Sequence, residues 1–196
     1  MVINKTIPGI SEAAQLAAAA FGQQDVEYFM HQVQGLFATC DLVYSGEVDG
    51  NLIGFAGFKV FPELNTLYLS CAAVDPNQQR QGFLSRATRL AIAQANQAYL
   101  AFRTQSASMW RAGTKLCSSS FPDPDYLTAP QAIILAGMID IRLGKSPGNN
   151  SLQYPGHYGE SLYGYRPAIS DRKIQDWWDE ICDSEQGDAV MFIGLI

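Results

Sequence analysis

A polar loop between an apolar run and a helical pattern holds the backbone groups best suited to bind an anion. It lies in VDPNQQRQGFLSRATRLAIAQAN, residues 74–96, where a predicted strand gives way to a predicted helix. The first amides of a helix have no partner within it, and the helix dipole adds partial positive charge there. Gly82, which has no Cβ, would let the backbone approach a phosphate closely. The sequence therefore predicts a phosphate-binding loop or, equally, a turn that Gly82 merely eases.

The elements before this loop predict the sheet that carries it. SEAAQLAAAAF, with Ser11 as N-cap, and DVEYFMHQVQGLF have helical patterns. Residues 42–61 alternate between apolar and polar and are broken by Asp49-Gly50, a dipeptide that favours a tight hairpin turn. Residues 66–74 follow as a third strand, so the first half of the sheet is predicted to be antiparallel.

The elements after the loop predict a crossover. A helix to about Gln97, a strand over residues 98–105 and a helix over residues 106–117 follow in order. Because a strand, a helix and a second strand in succession favour a parallel pair, we expect a mixed sheet.

Residues 118–188 are less regular. Residues 118–126 are predicted to be loop, and TAPQAIILAGMIDIRLG to be a helix with Thr128 near its cap and Pro130 in its first turn. Residues 145–167 are rich in Gly, Tyr and Pro and are predicted to be irregular but ordered. A helix capped by Ser170 and a last strand, AVMFIGLI, complete the chain.

Composition and charge restrict the class of partner. The chain has 196 residues, with 13 Lys and Arg against 19 Asp and Glu and a net charge of −6. This balance repels nucleic acid and anionic lipid, whereas a cationic amine would be attracted. A length of 196 residues with 47% hydrophobic content fits one domain over residues 1–196.

Cysteine usage and hydropathy indicate a cytoplasmic, water-soluble protein. The four cysteines are widely spaced and form no CxxC motif, which argues against a disulfide framework. The N-terminal stretch lacks the features of a signal peptide, and no apolar run reaches the roughly 18 residues that span a bilayer. We predict no metal site, because no second His or Cys lies at metal-ligand spacing from His31.

The order of elements and the loop together resemble the GNAT superfamily of acyl-CoA-dependent N-acetyltransferases. That family carries a [Q/R]-x-x-G-x-[G/A] loop that begins five residues after the last apolar residue of its fourth strand. Val74 and Gln79 have this spacing, and Gln79 and Gly82 match by residue type. Leu84 departs from the pattern, since the family usually has Gly or Ala there.

The resemblance covers residues 43–117 and, by helix order alone, residues 1–42. It implies an α/β (α+β) fold with a mixed, mainly antiparallel sheet, whose splayed central parallel strands are flanked by helices. The pantetheine arm of acyl-CoA lies between those strands in the family. By resemblance, the amides of Ala73 and Val74 would hold this arm and polarise the thioester carbonyl, and those of residues 80–85 would hold the pyrophosphate.

Ser106 or Ser108 stands where the family often has an Asn that meets the pantetheine arm; the alternative role, which serine favours at such a position, is to cap the helix. The contacts implied for acetyl-CoA, or for another acyl-CoA, as co-substrate are Ala73, Val74, Gln79, Arg80, Gln81, Gly82, Phe83, Leu84, Ser85 and Ser106.

The family's usual proton-transfer residues are missing. Tyr68 occupies the strand position of the usual Glu, and the helix after the fifth strand offers Gly113 or Thr114 in place of a Tyr. Tyr68 and Ser70 alternate onto one strand face and could relay a proton through water, but Tyr68 could equally be a core aromatic. His157, in a predicted loop, is of a type that titrates near neutral pH, or is a surface residue without function. The catalytic candidates are therefore Tyr68, Ser70 and His157.

The predicted function is transfer of an acetyl group from acetyl-CoA to an amine of a small molecule or peptide. Residues 118–188 would form much of the acceptor pocket. The alternative is a catalytically silent protein of the same fold that binds acyl-CoA or a protein partner, because the usual Glu and Tyr are absent. An ordinary nucleotide-binding α/β protein fits less well, since neither GxGxxG nor GK[ST] occurs. The acceptor and the oligomeric state are left open, with a homodimer as one option.

Overall fold

The chain contains six α-helices and eight β-strands within residues 1–146 and 151–196, which the computed structural model describes. The helices are α1 (Ile10–Phe21), α2 (Val26–Ala38), α3 (Phe83–Ala95), α4 (Ala107–Thr114), α5 (Pro130–Arg142) and α6 (Arg172–Ile181). The strands are β1 (Val2–Asn4), β2 (Leu42–Val48), β3 (Asn51–Phe61), β4 (Thr66–Val74), β5 (Tyr99–Thr104), β6 (Ser119–Phe121), β7 (Gln153–Tyr154) and β8 (Ala189–Leu195). These elements confirm the predicted α+β class with a mixed, mainly antiparallel sheet. The predicted irregular stretch 145–167 includes residues 147–150, which lie outside the described residues.

The elements form two units: Met1–Val60 with Leu67–Asn96, and Phe61–Thr66 with Gln97–Ile196. In the first unit the strands lie in the order β1-β2-β3-β4, and β2 pairs antiparallel with both β1 and β3. The β2–β3 hairpin turns at Asp49 and Gly50, which have φ values of 52° and 78°. The predicted hairpin is therefore confirmed, because this dipeptide accepts positive φ at both central positions.

Helices α1 and α2 cover one face of the first unit's sheet. The alanines of α1 allow close approach to the sheet, and the Phe37 ring of α2 meets the Phe55 ring of β3 edge-on at a centroid distance of 5.1 Å. The buried core on this face consists of Ala13, Ala14, Leu16, Ala17, Ala18, Ala20, Phe29, Val33, Phe37, Val43, Phe55 and Ala73.

In the second unit, β8 is the shared partner of three strands. It pairs antiparallel with β5, β6 and β7, so residues distant in sequence are joined by one strand. The Phe102 ring of β5 stacks on the Phe192 ring of β8 at a centroid distance of 4.6 Å. The Trp110 ring of α4 packs against the Trp178 ring of α6, with 6.3 Å between the ring centroids. This contact holds the two helices together.

Two predicted helix starts were wrong, one by two residues and one by a single residue. Ser11 lies inside α1, whose N-cap is Gly9, and α6 is capped by Asp171, not by Ser170. The Asp171 carboxylate accepts a hydrogen bond from the Ile174 amide at 3.3 Å, as the side chain of an N-cap residue does.

The predicted loop 118–126 contains β6, and the sequence analysis also missed β1 and β7. All three strands have at most 3 residues, too few to show an alternating pattern. None of the helices in the described part of the chain is both long and apolar enough to cross a bilayer.

Candidate functional site

The loop between β4 and α3 is tightly folded. It starts with a 3₁₀ turn, Pro76–Gln78, capped by Asp75, whose Oδ1 accepts from the Asn77 amide at 2.7 Å. Arg80 and Gly82 then have φ values of 64° and 86°, both in the left-handed region. Glycine adopts this conformation without strain, which explains its presence at the point where the helix begins.

The first amides of α3 precede its internal hydrogen bonds. Gly82 is the N-cap, and its carbonyl accepts from the Arg86 amide at 3.1 Å. The amides of residues 83–85 come before that bond, and Gly82 has no side chain to cap them. A Cβ placed on Gly82 would have only Arg86 Nε as a neighbour, at 3.9 Å, so the space beside this glycine is open. The helix start can therefore accept an anionic group.

Two glutamine side chains brace the loop without using these amides. Gln79 Nε2 donates to the Val74 carbonyl and Gln81 Nε2 to the Asn77 carbonyl, each at 3.3 Å. Because both bonds end on carbonyl groups, the amide groups of residues 80–85 are left to other acceptors.

The charge around the loop is opposite to that of the whole chain. Arg80, Arg86 and Arg89 are exposed in or next to it, and the first turn of α3 has no acidic residue. In a chain with a net charge of −6, this clustering creates a local positive field. Guanidinium groups and helix amides are both good partners for phosphate oxygens.

Phe83 fixes the position of this helix start. Its side chain is 1% exposed and lies over two glycines of the neighbouring strands. A Cβ on Gly46 would come within 2.5 Å of Phe83 Cδ2, and a Cβ on Gly54 within 2.6 Å of Cδ1. Phe83 was predicted to contact the cofactor, but its buried side chain anchors the helix, so only its backbone amide is available to a ligand.

The last residues of β4 lead directly into the loop. Ala73 is buried and Val74 is half-buried. The Asp75 amide donates to the Ile53 carbonyl at 2.9 Å, which ties the strand end to β3. The expected separation of β4 from β5 involves one strand from each unit and stays a prediction.

The two catalytic candidates on β4 differ in exposure. Tyr68 is 6% exposed, in agreement with the core-aromatic alternative, whereas Ser70 is half-buried. A hydrogen bond with Ser70 also contributes to the lowered pKa of Cys40. The proton-relay role of Tyr68 and Ser70 stays a prediction.

Ser106, in the second unit, caps α4. Its Oγ accepts from the Met109 amide at 3.4 Å, so the capping alternative is confirmed. Ser106 is also hydrogen-bonded to Tyr163, whose pKa is raised, chiefly by burial and then by Tyr165. The Tyr163 hydroxyl is thus a protonated group beside a residue predicted to meet the cofactor. Sequence analysis missed it because Ser106 and Tyr163 lie far apart in the chain.

His157 is held neutral in the second unit. Burial lowers its pKa to about 4, and the charges of Arg103 and Lys145 add to this effect. Lys145 Nζ lies 3.1 Å from His157 Nε2, where an amine donates to an unprotonated nitrogen. A histidine with so low a pKa is a weak base, which does not favour the predicted acid–base role.

A buried ionic group lies beside this histidine. The side chains of Arg103 and Asp140 are 3% and 0% exposed and form an ion pair. The Tyr154 hydroxyl donates to Asp140 Oδ2 at 2.9 Å, and the Arg103 guanidinium lies 4.7 Å from the centre of the Tyr154 ring. The sequence offered no local signal for this group, because its members come from β5, α5 and β7.

Gly113, which stands where a Tyr was sought, is explained by packing. A Cβ there would come within 2.8 Å of the Phe102 and Phe192 rings. The α4 backbone therefore lies against this stacked pair and leaves no room for a larger side chain.

Comparisons with known proteins agree with this architecture. A model of the acetyltransferase (GNAT) family matches residues 11–113, a range that contains β4, the loop and α3. The IAA acetyltransferase from Bacillus cereus ATCC 14579 is 16% identical over 100% of this chain and 99% of that chain, with a TM-score of 0.53. The ribosomal-protein-S18-alanine N-acetyltransferase from Escherichia coli is 16% identical over 100% of this chain and 93% of that chain, with a TM-score of 0.50.

An aminoglycoside 6'-N-acetyltransferase complexed with coenzyme A is 12% identical over 53% of this chain, with a TM-score of 0.45. The matched part spans 62% of the length of that enzyme. No curated protein matches the sequence.

Proposed function

The chain belongs to the GNAT family of acetyltransferases, and from this premise we propose that it transfers an acetyl group from acetyl-CoA to an amine of a small molecule or peptide. The observation that carries the proposal is the start of α3, where amides precede the first helical hydrogen bond beside an open glycine and exposed arginines. This combination of donors and charge suits the diphosphate of acetyl-CoA.

The residues at the loop fit that group. The amides of residues 80–85 would bind its phosphate oxygens, and Arg80 and Arg86 would balance their charge. The amides of Ala73 and Val74 would hold the pantetheine arm, as the family resemblance implies. When bound, acetyl-CoA supplies an acetyl group activated as a thioester.

The chain must also manage two protons: one leaves the attacking amine and one reaches the thiolate of CoA. We assign the second role to Tyr163, because its hydroxyl is hydrogen-bonded to Ser106, the residue that the family resemblance implies meets the pantetheine arm. Ser70, half-buried on β4, remains the candidate for removing the proton of the amine, together with Tyr68 two residues earlier on the same strand. Orientation of the amine against the thioester would supply much of the acceleration.

Charge supports an amine as acceptor. The chain carries a net charge of −6 despite the arginines at the loop, so the rest of the molecule attracts cations. Structural neighbours described as an aminoglycoside 6'-acetyltransferase and a ribosomal-protein-S18-alanine N-acetyltransferase show how diverse such acceptors are on one fold.

Binding is tested first, by isothermal titration with acetyl-CoA, with CoA and with ADP. We expect acetyl-CoA and CoA to bind more tightly than ADP, because the pantetheine arm adds main-chain hydrogen bonds. Equal affinity for all three ligands would mean that the protein recognises only the nucleotide part and not the pantetheine arm. If none of the three binds, the proposal is refuted.

Catalysis is tested by release of the CoA thiol over a panel of polyamines, aminoglycosides and peptides with a free N-terminus. Release of the CoA thiol that depends on the presence of one class of amine would support the proposed acetyltransferase activity. Tight binding of acetyl-CoA with no thiol release above hydrolysis would favour the silent binder, the alternative motivated by the missing Glu and Tyr. Tyr163→Phe separates proton donation from binding, since it should lower turnover without changing the affinity for acetyl-CoA.

A further inference from the structure

Two cysteines of the first unit share one small space on its sheet. Cys40 follows α2 and Cys71 lies on β4, and both side chains meet over Gly57 of β3. A Cβ on Gly57 would lie 2.7 Å from Cys40 Sγ and 2.8 Å from Cys71 Sγ. The two sulfurs are therefore neighbours, because both occupy the space that a side chain at this position would fill.

The backbone on both sides holds this arrangement. The Cys40 amide donates to the Phe37 carbonyl at 3.3 Å, and the next amide, that of Asp41, donates to the Phe58 carbonyl at 2.8 Å. These bonds fix Cys40 between the end of α2 and the strand that contains Gly57. Cys71 lies on β4, the neighbour of β3 in the sheet. Both cysteines are partly exposed.

The two thiols differ in acidity in the way that a reactive pair requires. A hydrogen bond from Cys71 lowers the pKa of Cys40, and Ser70 and Lys59 act in the same direction against burial and the Asp41 charge. The pKa of Cys71 is raised well above its ordinary value, mainly by its hydrogen bond to Cys40 and by burial. The thiolate is the reactive form of cysteine, so Cys40 is the nucleophile and Cys71 the second thiol.

We propose that Cys40 and Cys71 form a redox-active dithiol, which a peroxide oxidises to an intramolecular disulfide. The Cys40 thiolate attacks one peroxide oxygen, the O–O bond breaks, and the product is a sulfenic acid with one water released for hydrogen peroxide. Cys71 sulfur then attacks the Cys40 sulfur, the S–O bond breaks, and the second water leaves. Two thiols are oxidised by two electrons and one peroxide is reduced, so a thiol reductant restores the pair.

The other cysteines provide an internal contrast. Burial raises the pKa of Cys117 to about 11 and that of Cys182 to about 12. Both lie in the second unit, and Cys182 is buried. They should react slowly with peroxide, which makes Cys117→Ser a matched control that keeps the dithiol intact.

The test uses the full chain, reduced and then treated with one equivalent of hydrogen peroxide. We expect the protein to lose two of its four free thiols together, and peptide mapping to find Cys40 joined to Cys71 with loss of two hydrogens. Dithiothreitol should restore all four. The proposal would be overturned if all four thiols were still free after the peroxide had been consumed. A disulfide between any other pair of cysteines would overturn it as well.

Two single variants separate the roles. In Cys71→Ser the sulfenic acid on Cys40 has no partner, so dimedone should trap it. In Cys40→Ser the reaction with peroxide should slow by at least tenfold, whereas Cys117→Ser should react at the wild-type rate. Equal rates in Cys40→Ser and wild type would contradict the assignment, and the wild-type peptide map decides the matter even if a variant folds poorly. None of these measurements needs CoA, so the dithiol and the acetyltransferase proposals can fail separately.

Discussion

Replacing Gly82 by glutamate is the sharpest test of the proposed diphosphate site. Only Arg86 Nε lies within 4 Å of a Cβ at this position, so the new side chain enters the open space beside the amides of residues 83–85. Its carboxylate would occupy the region that the phosphates need. The substitution should therefore weaken acetyl-CoA binding by both steric and electrostatic effects.

The magnitude follows from the charge separation. A carboxylate and a phosphate about 6 Å apart repel by roughly 2–3 kcal/mol at an effective dielectric constant near 20. Screening by salt at an exposed site brings this to about 1–1.4 kcal/mol, which is about a fivefold to tenfold loss of affinity. A non-glycine residue at a φ of 86° also lowers the stability of the fold by about 1–2 kcal/mol.

Gly50→Glu is the matched control for both effects. Gly50 has a φ of 78°, has no neighbour within 4 Å of a Cβ, and lies in the β2–β3 hairpin. The Gly50→Glu substitution therefore introduces a similar strain and the same charge in a turn outside the β4–α3 loop. Isothermal titration should find wild-type affinity in Gly50→Glu and weakened binding in Gly82→Glu, with a smaller difference at high salt. Equal affinity in both variants would refute the diphosphate assignment.

Further predictions concern stability. Phe83→Ala should lower the free energy of unfolding in urea by about 3–5 kcal/mol, because its ring fills the space over Gly46. Asp140→Asn should lower it by about 3–5 kcal/mol, since the Arg103 guanidinium stays buried without its counter-charge; a loss below about 1 kcal/mol would contradict this. Stability should fall between pH 6.5 and pH 4, because the folded chain holds the pKa of His157 at about 4 and so binds a proton less readily than the unfolded chain. This contribution, about 1–2 kcal/mol after allowing for the half-exposed ring, is complete above pH 6.5, and His157→Gln should remove it from the pH profile of chemical denaturation.

Local chemistry predicted the elements that depend on neighbours in sequence. Asp49-Gly50 forms the predicted turn, and β4 covers residues 66–74 as its run of β-favouring residues indicates. The cap of α1 was wrong because Ser11 was chosen by residue type, whereas the chain enters the helix at Gly9. Capping preferences rank residues but do not determine where a helix meets its sheet.

Contacts between distant residues could not be predicted in this way. No pattern in the sequence signalled the role of Gly46 and Gly54, which became clear only with the Phe83 ring against them. In the same way, nothing in the sequence indicated that Cys40 and Cys71 lie close together, or that Ser106 is hydrogen-bonded to Tyr163. The anion-binding character of the β4–α3 loop could be predicted because the strand, the turn and the helix follow one another in the sequence. The proton-transfer groups could not, because they depend on packing between segments that are distant in sequence.

The role of β8 as shared partner bears on how the nascent chain acquires its shape. Residues 99–154 leave the ribosome before the strand at 189–195 exists, so β5, β6 and β7 must wait for a template on which to pair. At about 5–20 residues per second this delay lasts on the order of seconds. During that time the apolar β5 segment lacks β8 as a pairing strand, and chaperones that recognise extended apolar segments can bind it.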